Sequence, residues 1–137
     1  MTKTTNYQLN QWAKSDRVLM DDFNTDNAKI DAALGTIPKL AVGTYKGTGV
    51  YGHQNQSTLA IGFAAKMVVI IRADAPSAHT VFLRSCPTAC YGAGTSSGMT
   101  LGLTWSDTGV SWYDYNNQSA EVQLNLSNVT YHWFAIG

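Results

Sequence analysis

Aromatic and amide side chains are concentrated in one stretch of the sequence, SWYDYNNQ at residues 111–118. If this stretch is a β-strand, side-chain alternation places Trp112 and Asp114 on one face and Tyr113 and Tyr115 on the other. At least one aromatic ring would then face solvent beside neutral amide groups. Flat aromatic faces combined with such hydrogen-bonding groups are a usual means of binding an uncharged sugar. The alternative is that these rings fill the core or a contact between subunits.

A second, weaker candidate patch lies in the polar loop VYGHQNQS at residues 50–57. Tyr51 and His53 supply its rings, and Gln54 and Asn55 supply its amides. The sequence therefore predicts six candidate residues for glycan binding, which are Tyr51, His53, Trp112, Tyr113, Asp114 and Tyr115.

Catalytic patterns in the sequence lack the context that catalysis requires. The string GTSSG at residues 94–98 matches G-x-S-x-G, but a nucleophile elbow needs a strand before it and a helix after it, and neither is predicted. Three acidic residues, Asp107, Asp114 and Glu121, lie close together in the sequence, as a glycosidase would need, but at or near predicted turns, where carboxylates are common. We therefore do not expect an enzyme.

Metal and cofactor sites are not predicted either. Cys86 and Cys90 form a single C-x-x-x-C without the four ligands of a structural zinc site, and the three histidines are isolated from one another. Two free thiols are expected if the protein is assembled in a reducing cytoplasm, and a loop disulfide is the alternative. No cofactor is expected.

Apolar residues near the N-terminus follow the alternating three- and four-residue steps of a heptad. Asp26 occupies one expected apolar position. A polar residue there lowers the stability of a coiled coil but can fix its register and the number of helices in it. This pattern predicts an oligomerisation seam formed by Leu19, Phe23, Asp26, Ile30 and Ala33. The alternative is that this stripe packs on its own domain, as in many amphipathic helices.

The helix that carries this seam is predicted to run from Asp16 to Leu34. Ser15 or Asp16 would cap its start, Gly35 would end it in a left-handed conformation, and Pro38 would prevent its continuation. Residues 24–27, Asn-Thr-Asp-Asn, are poor helix formers, so the alternative is two short helices with Thr25 capping the second.

The rest of the chain predicts short strands joined by turns. The fold class expected is mainly β, with an N-terminal assembly segment at residues 1–38 and an antiparallel, jelly-roll-like β-sandwich at residues 39–137. The continuous apolar run at Met67–Ile71 predicts a strand buried on both faces, and Ser85–Gly98 predicts a long connection without structure. The eight predicted strands are Leu40–Lys46, Thr58–Phe63, Met67–Ile71, His79–Arg84, Thr100–Trp105, Val110–Tyr115, Glu121–Leu126 and Val129–Ile136.

Charge is distributed unevenly along the chain. Nine basic and nine acidic residues balance, which argues against nucleic-acid binding. Residues 1–39 hold five of each sign, so the remaining 98 residues hold only four of each. Such a weakly charged surface suits a domain that is partly buried against identical copies or that contacts neutral ligands. The polar N-terminus and the lack of a long apolar run predict neither a signal peptide nor membrane insertion.

Both ends of the chain resemble proteins of bacteriophage and prophage virions, especially tail-fibre and tail-tip proteins of phages that infect Gram-positive hosts. The N-terminal resemblance lies in NYQLNQWAKSDRVLMDDFNTDNAKIDAAL, and the C-terminal one in GTYKGTG, LAIGFAAKMVVII and VTYHWFAIG, which are similar to their small β-domains.

The resemblance implies a non-enzymatic structural protein on the tail or capsid exterior of the virion, made in the host cytoplasm. It implies a homotrimer whose N-terminal segment binds other virion proteins and whose β-domain attaches to a host surface glycan. A long fibrous shaft is lacking, so a capsid fibre or decoration protein without a receptor is an alternative, and a carbohydrate-binding module is another.

Overall fold

A computed structural model describes residues 1–76, 79–92 and 99–137. In these residues the protein is mainly β, with antiparallel sheets and one α-helix. The chain divides into two compact units, Met1–Pro38 and Lys39–Gly137.

The N-terminal unit consists of a two-stranded ribbon and the helix. Strands β1 (Thr2–Lys3) and β2 (Asn10–Gln11) pair antiparallel, and helix α1 spans Met20–Gly35. The ribbon is tied to the helix because the backbone N–H of Asn10 donates to Asp26 Oδ2 at 2.8 Å. Hence Asp26, predicted as a seam residue, already has a partner within its own chain.

Several details of the predicted helix are wrong. The helix begins at Met20 rather than Asp16, with Leu19 at the N-cap position and no side-chain cap. Asp16 Oδ2 instead accepts a hydrogen bond from Ala13 N at 2.8 Å and pairs with the N-terminal amine at 2.9 Å. Gly35 stays helical, without a positive φ, and Thr36 ends the helix with αR geometry.

The weak centre of the helix remains helical, so the two-helix alternative is also wrong. Thr25 does not cap a second helix, because its hydroxyl donates back to Asp21 O at 2.7 Å. This bond to the preceding turn satisfies the hydroxyl inside a continuous helix.

The first sheet of the β-domain has the strand order β3-β10-β5-β6. Its strands are β3 (Leu40–Lys46), β5 (Met67–Arg72), β6 (His79–Leu83) and β10 (Thr130–Ile136), all in antiparallel pairs. The expectation that β5 is buried on both faces is wrong. Val68 and Ile70 are fully buried, whereas Ile71 on the opposite face is 37 % exposed.

The second sheet has the order β4-β9-β8-β7. Its strands are β4 (Ser57–Ala60), β7 (Thr88–Cys90), β8 (Thr100–Ser106) and β9 (Gly109–Asp114). The β8–β9 hairpin is confirmed. Strand β7 was missed, because it lies inside the connection expected to be structureless and pairs with β8 through Ala89 and Leu101.

The strand predicted at Glu121–Leu126 does not form, and neither does the final hairpin it was meant to complete. The segment makes consecutive turns, with Leu124 at a φ of 56°. A positive φ at a branched residue interrupts an extended strand. This turn segment proves central to the site described below.

The two sheets contribute to one hydrophobic core. The Trp112 ring of β9 lies 5.3 Å from Phe82 of β6 and 6.0 Å from Tyr45 of β3, measured between ring centroids. The Tyr45 and Tyr131 rings stack at 5.0 Å within the first sheet. These contacts fix the orientation of β9, which carries the candidate site at its end.

Candidate functional site: an aromatic cleft at the end of strand β9

A surface cleft of about 660 Å³ lies where the loop that leads into a 3-10 helix (His53–Asn55) meets the end of β9. This volume is within the range of about 300–1,000 Å³ that is usual for small-molecule sites. Residues from both patches predicted from the sequence therefore line one cleft, although Trp112 and Tyr113 do not. The residues that line it are Gly49, Val50, Tyr51, His53, Gln54, Asn55, Asp114, Tyr115 and Asn117.

Aromatic rings form the accessible part of this site. Tyr51 is 39 % exposed and Tyr115 is 61 % exposed. Tyr115 stacks near Tyr113 with ring centroids 6.2 Å apart, and His53 meets Tyr113 edge-on at 4.8 Å. The cleft thus adjoins a row of three rings, His53, Tyr113 and Tyr115.

A glycine in the neighbouring strand lets the Tyr113 ring lie flat on the sheet. Gly102 of β8 pairs directly with Tyr113 of β9. A Cβ atom at Gly102 would lie 2.6 Å from the Tyr113 ring, closer than packed atoms approach. Because Gly102 has no side chain, the Tyr113 ring can lie close to the surface of the sheet.

Trp112 and Tyr113 lie on opposite faces of β9, as the alternation predicted. Trp112 faces the interior, so its predicted contact with a ligand is wrong. Its side chain is 1 % exposed, and its indole N–H donates to the backbone oxygen of Gln123 at 2.7 Å. The ring belongs to the hydrophobic core and is not available at the surface. Of the predicted glycan-binding residues, Trp112 is thus a structural one.

Asp114 borders the cleft but is engaged by its own chain. It is 1 % exposed. Its Oδ1 accepts from Asn116 N at 3.1 Å, and its Oδ2 accepts from Ser119 N at 2.9 Å and from Gln118 N. These bonds shape the turn after β9 and direct Tyr115 toward the cleft. Asp114 is the one carboxylate among the described lining residues, and it acts here as a turn acceptor.

Gln123, which the sequence analysis missed, joins the walls of the cleft. Its side chain is fully buried, and Oε1 accepts from Gly52 N at 2.6 Å and from Asp114 N at 3.0 Å. Its Nε2 donates to Asn55 O at 2.6 Å and to Ser57 Oγ at 3.2 Å. The side-chain amide of Gln123 thereby binds both the loop at residues 50–57 and the end of β9.

Asn125 anchors the start of the same loop. Its Oδ1 accepts from Thr48 N at 3.0 Å, and its Nδ2 donates to Thr48 Oγ1 at 2.9 Å and to Val50 O at 2.8 Å. Buried amides with all their groups bonded are rigid supports. Gln123 and Asn125 are two residues apart, so the turn segment that replaced the predicted strand places both amides against the loop.

Gly52 allows the loop to approach the turn after β9. Its φ is 87°, and a Cβ atom would overlap the side-chain oxygen of Asn117. Both the backbone conformation and the space therefore favour glycine at this position.

Glu121, another of the three carboxylates considered for catalysis, is paired with Arg72. Its Oε1 lies 2.8 Å from Arg72 Nη1, while Arg72 Nε lies 2.7 Å from Asp74 Oδ1. The hydrogen bond from Arg72 lowers the pKa of Asp74 below its ordinary value. Burial raises the pKa of Tyr91, whose hydroxyl lies 3.4 Å from Glu121. These contacts form an ion-pair cluster outside the cleft lining.

The predicted oligomerisation seam is largely exposed on the single chain. Helix α1 contains no buried residue, and Leu19, Phe23 and Ile30 are 46 %, 58 % and 41 % exposed. Ala33 and Ile30 border a small apolar groove of about 150 Å³ in the same unit. Asp26 Oδ1 is buried without a hydrogen bond, although Lys29 Nζ lies 3.6 Å away.

Within the described residues, no group of three or more His, Cys, Asp or Glu side chains is arranged to hold a metal. Cys86 and Cys90 are both free. The GTSSG string at 94–98 lies outside the described residues. None of the helices described is long and apolar enough to cross a membrane.

No family model matches the sequence, and neither a curated protein nor a solved structure matches it.

Proposed function

We propose that this protein is a non-enzymatic bacteriophage virion component that binds a neutral host-surface glycan through the aromatic cleft. Its β-domain is proposed to be a jelly-roll-like β-sandwich displayed outward from the particle. The observation that carries this proposal is the convergence of Tyr51, His53 and Tyr115 on one cleft that offers no free carboxylate among the described lining residues.

A neutral sugar fits the chemistry of this cleft. The apolar face of a pyranose ring packs on an aromatic ring, and its hydroxyls exchange hydrogen bonds with amide groups. Tyr115 and Tyr51 supply exposed rings, while Gln54 and Asn117 supply amides. An anionic sugar gains no charge partner from Lys or Arg among the described lining residues.

The N-terminal helix is proposed to assemble the protein as a homotrimer and to attach it to other virion proteins. The exposed heptad residues Leu19, Phe23 and Ile30 support this part of the proposal. A helix of 16 residues without a buried face is marginal by itself in water, so a partner would stabilise it. Repetition of the binding site in a trimer would raise the avidity for a repetitive glycan surface.

A glycan array with the purified full chain tests the binding part of this proposal. We expect neutral oligosaccharides to bind, and Tyr115→Ala and Tyr51→Ala each to weaken binding about tenfold or more, because each removes a stacking ring. Thr104→Ala is the control, since Thr104 is exposed on β8 but does not line the cleft.

Two outcomes would count against the glycan proposal: an array without binding, or affinities that Tyr115→Ala and Tyr51→Ala leave unchanged. Assembly without glycan binding would favour the alternative of a capsid fibre or decoration protein. Light scattering tests the assembly separately. Phe23→Lys should shift a trimer toward monomer, and a wild-type chain that is monomeric at all concentrations would contradict the homotrimer.

A further inference from the structure

The outer face of the second sheet continues the aromatic surface of the cleft. Alternation along its strands turns Leu101, Leu103 and Trp112 into the hydrophobic core, so the residues next to them in the sequence point outward. Strand pairing aligns six of these outward residues in two rows across β9, β8 and β7, and together they form a platform. The rows are Tyr113, Gly102 and Thr88, and Tyr115, Thr100 and Cys90.

The ring of Tyr113 is the flat part of this platform. A Cβ atom at Gly102 would lie 2.6 Å from both Cε1 and Cζ of Tyr113 and 2.8 Å from its hydroxyl oxygen. Such similar distances to three neighbouring atoms mean that the ring turns one face toward Gly102, and its other face is turned away from the sheet. Tyr113 is half-buried. An outward aromatic face is a surface on which the apolar face of a sugar ring can stack.

The platform is continuous with the cleft. Tyr115 belongs to both, because it lines the cleft and its backbone N–H donates to Thr100 O at 2.8 Å. The Tyr113 ring contacts two residues of the cleft lining, with ring centroids 4.8 Å from His53 and 6.2 Å from Tyr115. A ligand that occupies the cleft therefore reaches the platform over a continuous row of rings.

Beyond Tyr113 the platform offers small polar groups. Thr88 and Cys90 on β7 are exposed, and Thr100 on β8 is half-buried. None of the outward positions of β4, β7, β8 and β9 is occupied by Lys, Arg, Asp or Glu. Threonine hydroxyls both donate and accept hydrogen bonds, as the hydroxyls of a sugar do. A charged polymer would find no countercharge at these positions, whereas a neutral polysaccharide needs none.

We infer that the platform extends the cleft into a site for a stretch of linear neutral polysaccharide, rather than for a single sugar. This inference rests on the proposed function, because the cleft supplies the first contact. From β9 to β7 the platform crosses two strand spacings, which is about 9.6 Å. A chain that leaves the cleft and crosses this distance contacts the protein through more than one sugar unit.

The dependence of affinity on chain length tests the inference. Malto-, cello- and chito-oligosaccharides, from disaccharide to hexasaccharide, are titrated into the full chain by calorimetry. We expect the hexasaccharide of the binding series to bind about tenfold more tightly than its disaccharide, because it adds stacking on Tyr113 and hydrogen bonds at Thr88.

A substitution on the platform separates this gain from a purely statistical one. Thr88→Glu places a charge that the ligand would have to desolvate, so it should weaken hexasaccharide binding several-fold and leave disaccharide binding unchanged. A gain that comes only from the larger number of binding frames on a longer chain would survive this substitution. Thr104→Glu is the matched control, since Thr104 is exposed on β8 outside the two rows, and it should change neither affinity.

Cys90 gives a second readout, because it is a free and exposed thiol on the platform. In a Cys86→Ser chain it is the sole thiol, since the sequence holds two cysteines. Iodoacetamide alkylates accessible thiols, so the rate of alkylation reports whether a ligand covers Cys90. We expect saturating hexasaccharide to slow alkylation several-fold and saturating disaccharide to leave the rate unchanged.

Several results would overturn the inference. They are equal affinities for disaccharide and hexasaccharide, a folded Thr88→Glu chain with unchanged hexasaccharide affinity, and a Cys90 thiol that is inert in the free chain or is not protected by the hexasaccharide. In each case, disaccharide binding that Tyr115→Ala weakens would leave the proposed function standing. Absence of binding by every oligosaccharide would count against both proposals.

Discussion

Replacing Gln123 by leucine tests whether one buried amide holds the cleft together. The substitution keeps a side chain of similar size but removes four hydrogen bonds, to Gly52 N, Asp114 N, Asn55 O and Ser57 Oγ. Gly52 and Asp114 are buried, so their two N–H groups would be left without partners, whereas water can reach exposed Asn55. At about 1–2 kcal/mol for each orphaned donor, we expect a loss of about 2–4 kcal/mol in the free energy of unfolding.

Urea unfolding followed by tryptophan fluorescence measures this loss, with unchanged m-values as the check that the denatured state is the same. Gln123→Glu is the companion variant. A carboxylate keeps acceptors for Gly52 N and Asp114 N but cannot donate to Asn55 O. Amide hydrogen exchange at Gly52 should accelerate strongly in the leucine variant. A loss below about 1 kcal/mol together with unchanged exchange at Gly52 would refute the role given to Gln123.

Three further predictions concern the loop, the core and the ion-pair cluster. Gly52→Ala should lower the urea midpoint more than Gly62→Ala, because both glycines have positive φ but a Cβ meets a neighbour only at Gly52; equal losses would contradict the steric part. Tyr45→Phe removes the hydrogen bond from the Tyr45 hydroxyl to Leu124 O and should lower the free energy of unfolding by about 1 kcal/mol. Burial raises the pKa of Tyr45, so above pH 10 the tyrosine ionises in the unfolded chain but not in the folded one. The difference in the free energy of unfolding between wild type and Tyr45→Phe should therefore shrink above pH 10, and a difference that stays constant would contradict this. Arg72 lowers the pKa of Asp74 in the folded protein, so the stability deficit of Asp74→Asn should be present at pH 7. In acid titrations it should shrink as the pH falls below the ordinary Asp value of 3.8 and be lost once the pH passes the lowered pKa; a pH-independent deficit would exclude the ion pair as its cause.

Strands with a clear period were predictable from the sequence. Leu101, Leu103 and Trp105 alternate in β8, and the Asp107-Thr108 turn follows, so the β8–β9 hairpin formed as expected. The same alternation placed Trp112 and Tyr115 on opposite faces, and the structure shows that Trp112 is buried and Tyr115 is exposed. Local pattern succeeds here because the strands pair with sequence neighbours.

The residues that organise the cleft were not predictable from the same pattern. Gln123 and Asn125 sit in EVQLNL, which alternates like a strand, yet their buried amides bond a loop about 70 residues earlier in the chain. The hydrogen bonds from these two amides to that loop form in place of a strand, and Leu124 takes a positive φ. No local signal encodes a partner so distant in sequence.

Strand β5 shows a second limit of sequence patterns. Its continuous apolar run indicated burial on both faces, and in the single chain only the face with Val68 and Ile70 is buried. Hydrophobicity reports that a side chain avoids water, without saying whether its own chain or another copy covers it.

The most direct test of the central claim is amide chemical-shift mapping of the full chain, titrated with a neutral oligosaccharide selected on the array. The account predicts saturable shifts at Gly52, Asn55 and Tyr115, all in or beside the cleft, and none at Val42 in strand β3. Absent shifts, or shifts confined to residues outside the cleft, would contradict the assignment of this site to glycan binding.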